Sequence, residues 1–450
     1  MTDTIELATF STDVTPAISD PIAYGTCEAV DDPLSCRGIV LEGDGLPIVL
    51  CSIDWIGNYN GSNLAWRTAL ANAAGTSPER VAMHAVHQHE APGYNLDAEH
   101  LVLAHGETEH RVNPSFATQC IQKTADAVRE AVKDAQPVTD IGFGVADVEE
   151  VASNRQVLGE DGECCYIRFT SGGSDFEFAR QAPEGIIDPS LYLLSFWNEE
   201  EPVASLSYYA CHPQSYYRNG RVTCDFPGIA RNQHEADTGV FQVHFAGCAG
   251  NVTAGKYNDG SEELRPVLAE RLQAGMAAAW DATDRSSLET NHIEWDVERV
   301  ELPSADELSV DSLVSEFAAD HTEGSPGKLA WQRRCELGDQ IEIPRLRLGD
   351  VDLVHLPGEP FIEYQLAAQT MRDDRTAIVA GYGDGGPGYI PTEAAIPLGG
   401  YEVRVNRFDG AVEDVLTDAI QQLLDANSVP KTPSDFTKEK PRASGMPTEP

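Results

Sequence analysis

The chain has 450 residues, of which 73 are Asp or Glu and 31 are Lys or Arg, giving a formal net charge of −42. Nucleic acid and anionic membrane surfaces are excluded as favourable partners, because both repel such a polyanion. The charge is typical of proteins adapted to molar salt, where screening limits carboxylate repulsion to a few ångströms. The length fits two or three domains or one large α/β unit.

No targeting or membrane-spanning segment is evident. The first residues contain neither a basic stretch nor an apolar one, and no apolar run is long enough to cross a bilayer. We therefore predict a cytoplasmic protein without a transmembrane segment. The ten cysteines form no C-x-x-C pair, which favours free, mostly buried thiols over zinc sites or disulfides. No sequence feature assigns an oligomeric state.

Strand-like and helix-like runs alternate along most of the chain. Short runs rich in β-branched residues predict strands, and longer alanine-rich runs predict helices. The predicted strands are residues 38–41, 48–53, 81–86, 141–145, 191–196, 203–209, 240–245 and 376–380, with a hairpin-like stretch at 166–169. The predicted helices are residues 62–74, 115–135, 262–282 and 361–371. This alternation predicts an α/β fold with mixed central β-sheets flanked by helices.

The domain organisation follows from composition. Residues 1–426 are predicted to form one ordered domain. Within it, residues 303–339 are acidic and polar and are predicted to be a partly helical insertion or lid. Residues 427–450 are rich in Pro, Lys, Ser and Thr with almost no apolar residues, which predicts a disordered tail.

A weak internal repeat is visible. Residues 46–54 precede a helix, a strand and a Pro-Gly-Tyr turn at 92–94, and residues 351–359 precede the same series with its turn at 387–389. Chance similarity and true duplication both explain this pattern. Either explanation places the strand ends that carry these turns near one another.

The segment 84–94 has the composition of half a metal site. It contains His84, His87, His89 and Glu90 just before a Pro-Gly turn, after an apolar run at 81–83. Because alternate residues of a strand share a face, His87 and His89 point the same way, and His84 points away if the strand stays regular. Neutral imidazole is the commonest metal ligand. Ordinary polar loop histidines are the alternative.

Three further strand ends carry candidate chemistry. His212 follows the strand at 203–209, small residues at 246–250 follow the strand at 240–245, and Glu359 lies between prolines. Singly, these are a capped histidine, a tight turn and a helix N-terminal glutamate. Together they supply the ligands that the first histidine segment lacks.

The order of these motifs resembles the catalytic domain of the neutral, non-lysosomal ceramidases, in a haloarchaeal-type form. Those enzymes are zinc amidases that cleave the N-acyl bond of ceramide, and the resemblance spans residues 10–402. The matching segments are Asp13-Val14-Thr15-Pro16 (family D-I-T-P), residues 86–93 (T-H-T-H-x-G-P-G), Asn154-Arg155-Gln156 (N-R-S), His212 with Asp225 downstream, Pro357-Gly358-Glu359 (P-G-E), Tyr389, and Tyr401-Glu402.

The resemblance implies a set of roles. It implies Zn²⁺ held by four ligands, with His89 as the general base and later the proton donor to the leaving amine. Tyr401 and Arg155 would stabilise the developing oxyanion. Asp54 would either orient an imidazole or cap a helix. The implied ligands are His87, His212, Glu359 and Tyr389.

Two departures from the family pattern affect the predicted function. The family's N-A-G-D-V-S-P-N appears here as residues 248–255, with Asn251 at the aspartate and Thr253 at the serine, which argues against a covalent acyl intermediate. The sequence also ends without the family's C-terminal immunoglobulin-like domain. We predict a zinc-dependent hydrolase that cleaves an N-acyl, ceramide-like amide. The alternatives are a zinc esterase or amidase on a small soluble substrate, or a non-catalytic metal-binding or ligand-binding protein.

Overall fold

Three β-sheets form the framework of the fold. The computed structural model describes residues 4–104, 113–169, 176–305, 309–319, 325–439 and 441. The strands of these sheets are β1 Ile5–Asp13, β2 Ser35–Glu42, β3 Ile48–Ile53, β4 Val81–Ala85, β5 Gln136–Val138, β6 Asp140–Asp147, β7 Ser190–Asn198, β8 Glu201–Tyr209, β9 Phe241–Ala246, β10 Asp284–Ser287, β11 Ile293–Val300, β12 Ile341–Leu348, β13 Val351–His355 and β14 Thr376–Ala380. Their orders are β5-β1-β2-β3-β4, β9-β8-β7-β6-β10 and β11-β12-β13-β14.

Helices cover these sheets. They are α1 Gly61–Ala74, α2 Leu96–Ala104, α3 Pro114–Ala131, α4 Phe176–Gln181, α5 Asp225–Thr238, α6 Leu264–Asp281, α7 Val310–Ala319, α8 Ser325–Glu336, α9 Ile362–Thr370, α10 Tyr401–Val405, α11 Ala411–Leu423 and α12 Pro433–Lys438. None of the described helices combines the length and the apolarity needed to cross a bilayer. The predicted class, an α/β fold with mixed sheets flanked by helices, is confirmed.

All three sheets end in a parallel edge pair. The pairs are β3 with β4, β8 with β9, and β13 with β14. In each sheet an antiparallel hairpin is followed by a helix (α1, α5 or α9) that leads into the parallel edge strand. A shared topology does not by itself identify a sequence duplication, so the internal repeat stays a prediction.

One apolar core is shared by the three sheets. Leu50 of β3, Leu206 of β8 and Leu353 of β13 belong to it. Alternate residues point outward, so Val49 packs against the cluster that includes α1 and α3, and Val354 packs against the cluster that includes α9 and α11. Burial on both faces explains why these strands are continuously apolar rather than alternating.

The strands and helices that the sequence predicts lie close to elements of the structure. The strands predicted at 48–53 and 376–380 have those limits in the structure. The helix predicted at 115–135 ends at Ala131 and continues as a 3-10 turn. The stretch predicted as hairpin-like is the strand Cys164–Ile167, which pairs with Gln156–Leu158.

The predicted disordered tail starts too early at residue 427. The helix α12 lies inside it, begun by a capping box in which Thr432 and Asp435 satisfy each other's backbone N–H groups. Ser434 Oγ and N–H donate to the Glu413 carboxylate. This segment is held by polar contacts, which a composition rule based on apolar burial does not detect. Residues 442–450 lie outside the described residues.

The acidic segment 303–339 is helical over α7 and α8. Both helices pack with α2 in a small apolar cluster that includes Leu101, Leu313 and Leu329. Its role as an insertion or lid stays a prediction.

Candidate metal centre

The carboxyl ends of the three parallel strand pairs converge on one place. Backbone hydrogen bonds join the loops beyond them: Ala85 N–H donates to Tyr382 O (2.9 Å), and Gly381 N–H donates to Ala246 O (2.9 Å). Loops at the carboxyl ends of parallel strands are the usual position of ligand sites in α/β sheets. The candidate ligands predicted from the sequence lie on these loops.

His87 lies just past the end of β4 and is held by the extension of β3. Its backbone has a φ of +80°, a left-handed conformation that is unfavourable for a residue with a Cβ. Its N–H donates to Trp55 O (3.0 Å), and its Nδ1 lies 2.5 Å from Ile56 O. That contact assigns the proton to Nδ1, so Nε2 carries the free lone pair.

His212 has the same arrangement. Its Nδ1 lies 3.0 Å from Ala249 O and 3.2 Å from the Tyr382 hydroxyl, while its buried Nε2 has no hydrogen-bond partner in the described part of the chain. The Nδ1 proton therefore goes to the Ala249 carbonyl, and Nε2 carries a free lone pair. A backbone carbonyl bound to the second ring nitrogen is the usual way in which a metal-binding histidine is oriented.

The two imidazoles face a carboxylate. Glu359 Oε2 lies 3.3 Å from His87 Nε2 and 3.8 Å from His212 Nε2. With both Nδ1 atoms protonated, these three atoms are all acceptors, and buried acceptors at such distances repel one another. A cation between them removes that repulsion. The donor set of two imidazoles and a carboxylate is one that zinc binds.

His89 completes a group of three imidazoles. Ligand atoms of His87, His89 and His212 all lie within 4.8 Å of one another, and all three residues are buried. Burial, followed by the nearby His87 and Arg155, lowers the pKa of both His89 and His212. Both rings are therefore neutral near pH 7, the form that binds a metal ion. Within the described residues His89 Nδ1 has no hydrogen-bond partner.

Glu359 and Tyr389 are register partners in a short parallel pair. Glu359 N–H donates to Gly388 O (2.8 Å), which fixes the two side chains next to each other. The loop of residues 246–251 packs closely against them, because a Cβ on Gly250 would lie 2.3 Å from Glu359 O. Burial, followed by the Glu359 carboxylate, raises the pKa of Tyr389.

Arg155 reaches this group through Tyr389. Its Nε lies 2.8 Å from Glu402 Oε1 in a buried ion pair, and its Nη1 donates to the Tyr389 hydroxyl (3.3 Å). Its guanidinium also lies over the Tyr401 ring, 5.6 Å from the centroid. Its charge is therefore largely balanced by Glu402, and its contacts position Tyr389 and Tyr401.

The structure corrects the role of Asp54. Its carboxylate binds the Arg231 guanidinium (2.8 and 3.0 Å) and accepts the Ser35 N–H and hydroxyl (both 2.8 Å). Burial alone would raise the pKa of Asp54, but Arg231 and Ser35 hold it below its usual value. Asp54 therefore joins α5 to β2 and neither orients an imidazole nor caps a helix.

The Asn251 side chain is hydrogen-bonded, whereas the Thr253 hydroxyl is not bonded to any described residue. The Asn251 side chain makes two hydrogen bonds, donating to Glu363 Oε2 (2.8 Å) and accepting the Ile362 N–H (2.8 Å). Thr253 is bridged to His212 through the backbone, and its buried hydroxyl has no hydrogen-bond partner within the described residues.

His84 lies apart from this centre, on β4. Its Nδ1 lies 2.6 Å from Gly381 O, and its Nε2 lies 3.0 Å from His355 Nδ1. Both rings line a cavity of about 690 Å³ between α1, α2 and α8. That cavity has a mixed lining, with charged residues such as Arg334 and Glu342, and His87, His89 and His212 are not part of it. The described part of the segment 303–339 therefore borders this mixed cavity.

Two residues of the centre were not singled out from the sequence. Tyr382 stacks on His87 (ring centroids 4.5 Å apart) and contacts His212. In the sequence Glu402 is notable only as the neighbour of Tyr401, yet in the structure it is the buried partner of Arg155. Tyr382 lies two residues past the end of β14, so its position at a parallel strand end was the available signal.

Comparisons with known proteins support the fold. No family model and no curated protein matches the chain. The structure is similar to that of neutral ceramidase from Pseudomonas aeruginosa, with a TM-score of 0.68 and 16% sequence identity over 98% of this chain and 78% of that one. A ceramidase complexed with C2 gives a TM-score of 0.68 and 15% identity over the same shares. The fold expected from the motif resemblance is thus confirmed.

Proposed function

We propose that this chain is a zinc-dependent hydrolase that cleaves the amide bond of an N-acyl substrate. The observation that carries the proposal is the buried cluster of His87 Nε2, His212 Nε2 and Glu359 Oε2, three acceptors with no donor between them among the described residues. The similarity of the fold to ceramidases supports the amide and the acyl chain as the substrate class.

His87, His212, Glu359 and Tyr389 would hold the ion in this proposal. Zinc at such sites polarises a carbonyl and lowers the pKa of water to about 7. His89, buried beside the ligands with a free Nδ1, would take a proton from the attacking water and return it to the amine nitrogen. The water oxygen bonds to the acyl carbon, the carbon–nitrogen bond breaks, and an acid and an amine leave.

Tyr401 and Arg155 would act on the carbonyl oxygen. Tyr401 lies next to Tyr389, with ring centroids 6.0 Å apart, and Arg155 lies over its ring. A phenol donor in a buried site is suited to stabilise charge that develops on the oxygen. Because Arg155 is already paired with Glu402, its proposed role is to position the two tyrosines.

Hydrolysis of a substrate panel tests the function. Zinc-loaded protein is expected to cleave a short-chain ceramide or another N-acyl amide, to lose this activity with a chelator, and to regain it when zinc is restored. Cleavage of matched esters alone would identify an esterase. Tight zinc binding without cleavage of any amide or ester would identify a non-catalytic binding protein.

Replacement of Thr253 by alanine is expected to leave most of the activity. Its hydroxyl has no hydrogen-bonded base in the described part of the chain, and an unactivated hydroxyl is a poor nucleophile. The measurement is kcat/KM with zinc present, together with the melting temperature to detect packing loss. A trapped acyl group on Thr253, found by mass spectrometry, would contradict this prediction.

A further inference from the structure

An aromatic cluster lies over His89, beside the candidate metal centre. The Tyr24 ring is nearly parallel to the His89 ring, with centroids 5.6 Å apart, and the Tyr217 ring lies 5.4 Å from His89. The two tyrosine rings are 5.1 Å apart. Tyr24 is 39% exposed whereas His89 is 5% exposed, so the cluster leads from solvent to the buried imidazole.

Arg218 lies on this cluster. Its guanidinium carbon is 5.3 Å from the Tyr24 ring and 5.4 Å from the Tyr217 ring. Its φ is +69°, an unfavourable conformation for a residue with a Cβ. The Glu90 carboxylate fixes the loop by accepting the Asn219 N–H (2.7 Å). Strain that the surroundings maintain beside a reaction centre is often part of a site.

No carboxylate among the described residues balances the charge of Arg218. Arg218 is exposed, and within the described residues its guanidinium makes no ion pair and no hydrogen bond, although the chain has 73 acidic residues against 31 basic ones. Neighbouring arginines differ: Arg155 is paired with Glu402, and Arg265 lies 3.8 Å from Asp225. A cation–π contact uses the face of the guanidinium and leaves its N–H donors free.

We infer that Arg218 binds an anionic group, a carboxylate or a phosphate, on the amine half of the substrate. The inference rests on the proposed function, in which His89 gives a proton to the leaving amine. In that role His89 lies next to the amine nitrogen. The rest of the amine half would then lie along the rings of Tyr24 and Tyr217, toward Arg218. A planar guanidinium recognises carboxylate and phosphate through paired hydrogen bonds. An N-acyl amino acid and an N-acyl phosphoethanolamine both carry an anionic group on the amine half.

The test compares substrates with one acyl chain and different amine halves. N-lauroylglycine and N-lauroyl-O-phosphoethanolamine are anionic, and N-lauroylethanolamine is neutral. Zinc-loaded wild-type protein is expected to show a higher kcat/KM for an anionic amide, and the better of the two identifies carboxylate or phosphate. Arg218→Gln should lower the anionic-to-neutral ratio about 10-fold, mainly through KM, because a charge-assisted hydrogen bond is lost. Arg218→Lys should keep part of the preference.

Arg333→Gln is the matched control, since Arg333 is an exposed arginine on α8 and lines the other cavity. It should leave the ratio unchanged at the same salt concentration. A wild-type preference for the neutral amide, or an unchanged ratio in Arg218→Gln, would overturn the inference while leaving amide hydrolysis in place. If wild-type protein cleaves none of the three substrates nor any other amide, the proposed function fails, and the inference fails with it.

Discussion

Replacing His87 or His212 by alanine is expected to abolish tight zinc binding and, with it, hydrolysis. Each imidazole is oriented by a backbone carbonyl and offers its Nε2 to the same point, next to Glu359. Zinc sites of this kind use three or four protein ligands, so the loss of one leaves an incomplete set. The measurement is zinc content after dialysis, expected to be about one ion per chain for the wild type and near zero for the variants.

The control for this experiment is His100→Ala, which removes an exposed imidazole on α2. Its zinc content should equal that of the wild type. Thermal melts with and without zinc give a second readout, because an ion at about 100 times its Kd stabilises the folded state by about 2.7 kcal/mol. That shift should be present in the wild type and in His100→Ala, and absent in the two ligand variants. Full zinc occupancy in both ligand variants would contradict the site.

The candidate metal centre is visible in the sequence because its residues lie at strand ends. Continuous apolar runs identified β3, β4 and β14, and the carboxyl ends of parallel strands gather at one edge of a sheet. The sequence therefore predicts that His87 and Glu359 lie near each other. In the structure His87 Nε2 lies 3.3 Å from Glu359 Oε2. The left-handed backbone of His87 departs from the regular alternation by which the sequence predicts that His87 and His89 share a face.

The sequence pattern does not predict contacts between segments that are far apart in the chain. Tyr382 and His212 are 170 positions apart, and Arg155 and Glu402 come from different parts of the fold. Periodicity shows which strands are buried on both faces, but it does not show which sheet lies opposite. The core shared by three sheets depends on that packing, so it could be found only in the structure.

The predicted adaptation to salt gives the second large effect: the melting temperature should rise steeply between dilute buffer and molar KCl. Exposed carboxylates repel one another over about 30 Å at 0.01 M ionic strength but over only about 3 Å at 1 M. With a net charge of −42, this repulsion acts mainly against the folded state, which holds the charges closest together.

One pair of glutamates on neighbouring strands shows how charge repulsion destabilises the folded state. Glu6 and Glu42 are direct cross-strand neighbours in β1 and β2. Burial, and then the charge of Glu6, raises the pKa of Glu42. Like charges in this position destabilise a sheet by up to about 1 kcal/mol.

Thermal melts across a KCl series, with sucrose at equal osmolarity as the unscreened control, measure the salt effect. Glu6→Gln should raise the midpoint most in dilute buffer and least in molar salt, because screening already removes its repulsion there.

The pKa of Glu42 predicts the direction in which stability changes with pH. Since its pKa is higher in the folded state, the folded protein binds the proton more readily, and stability should fall as the pH rises through that pKa. That fall should be smaller in Glu6→Gln and in molar KCl. A wild-type midpoint that stays constant between 0.01 M and 1 M KCl would contradict salt adaptation and show that other interactions offset the charge excess.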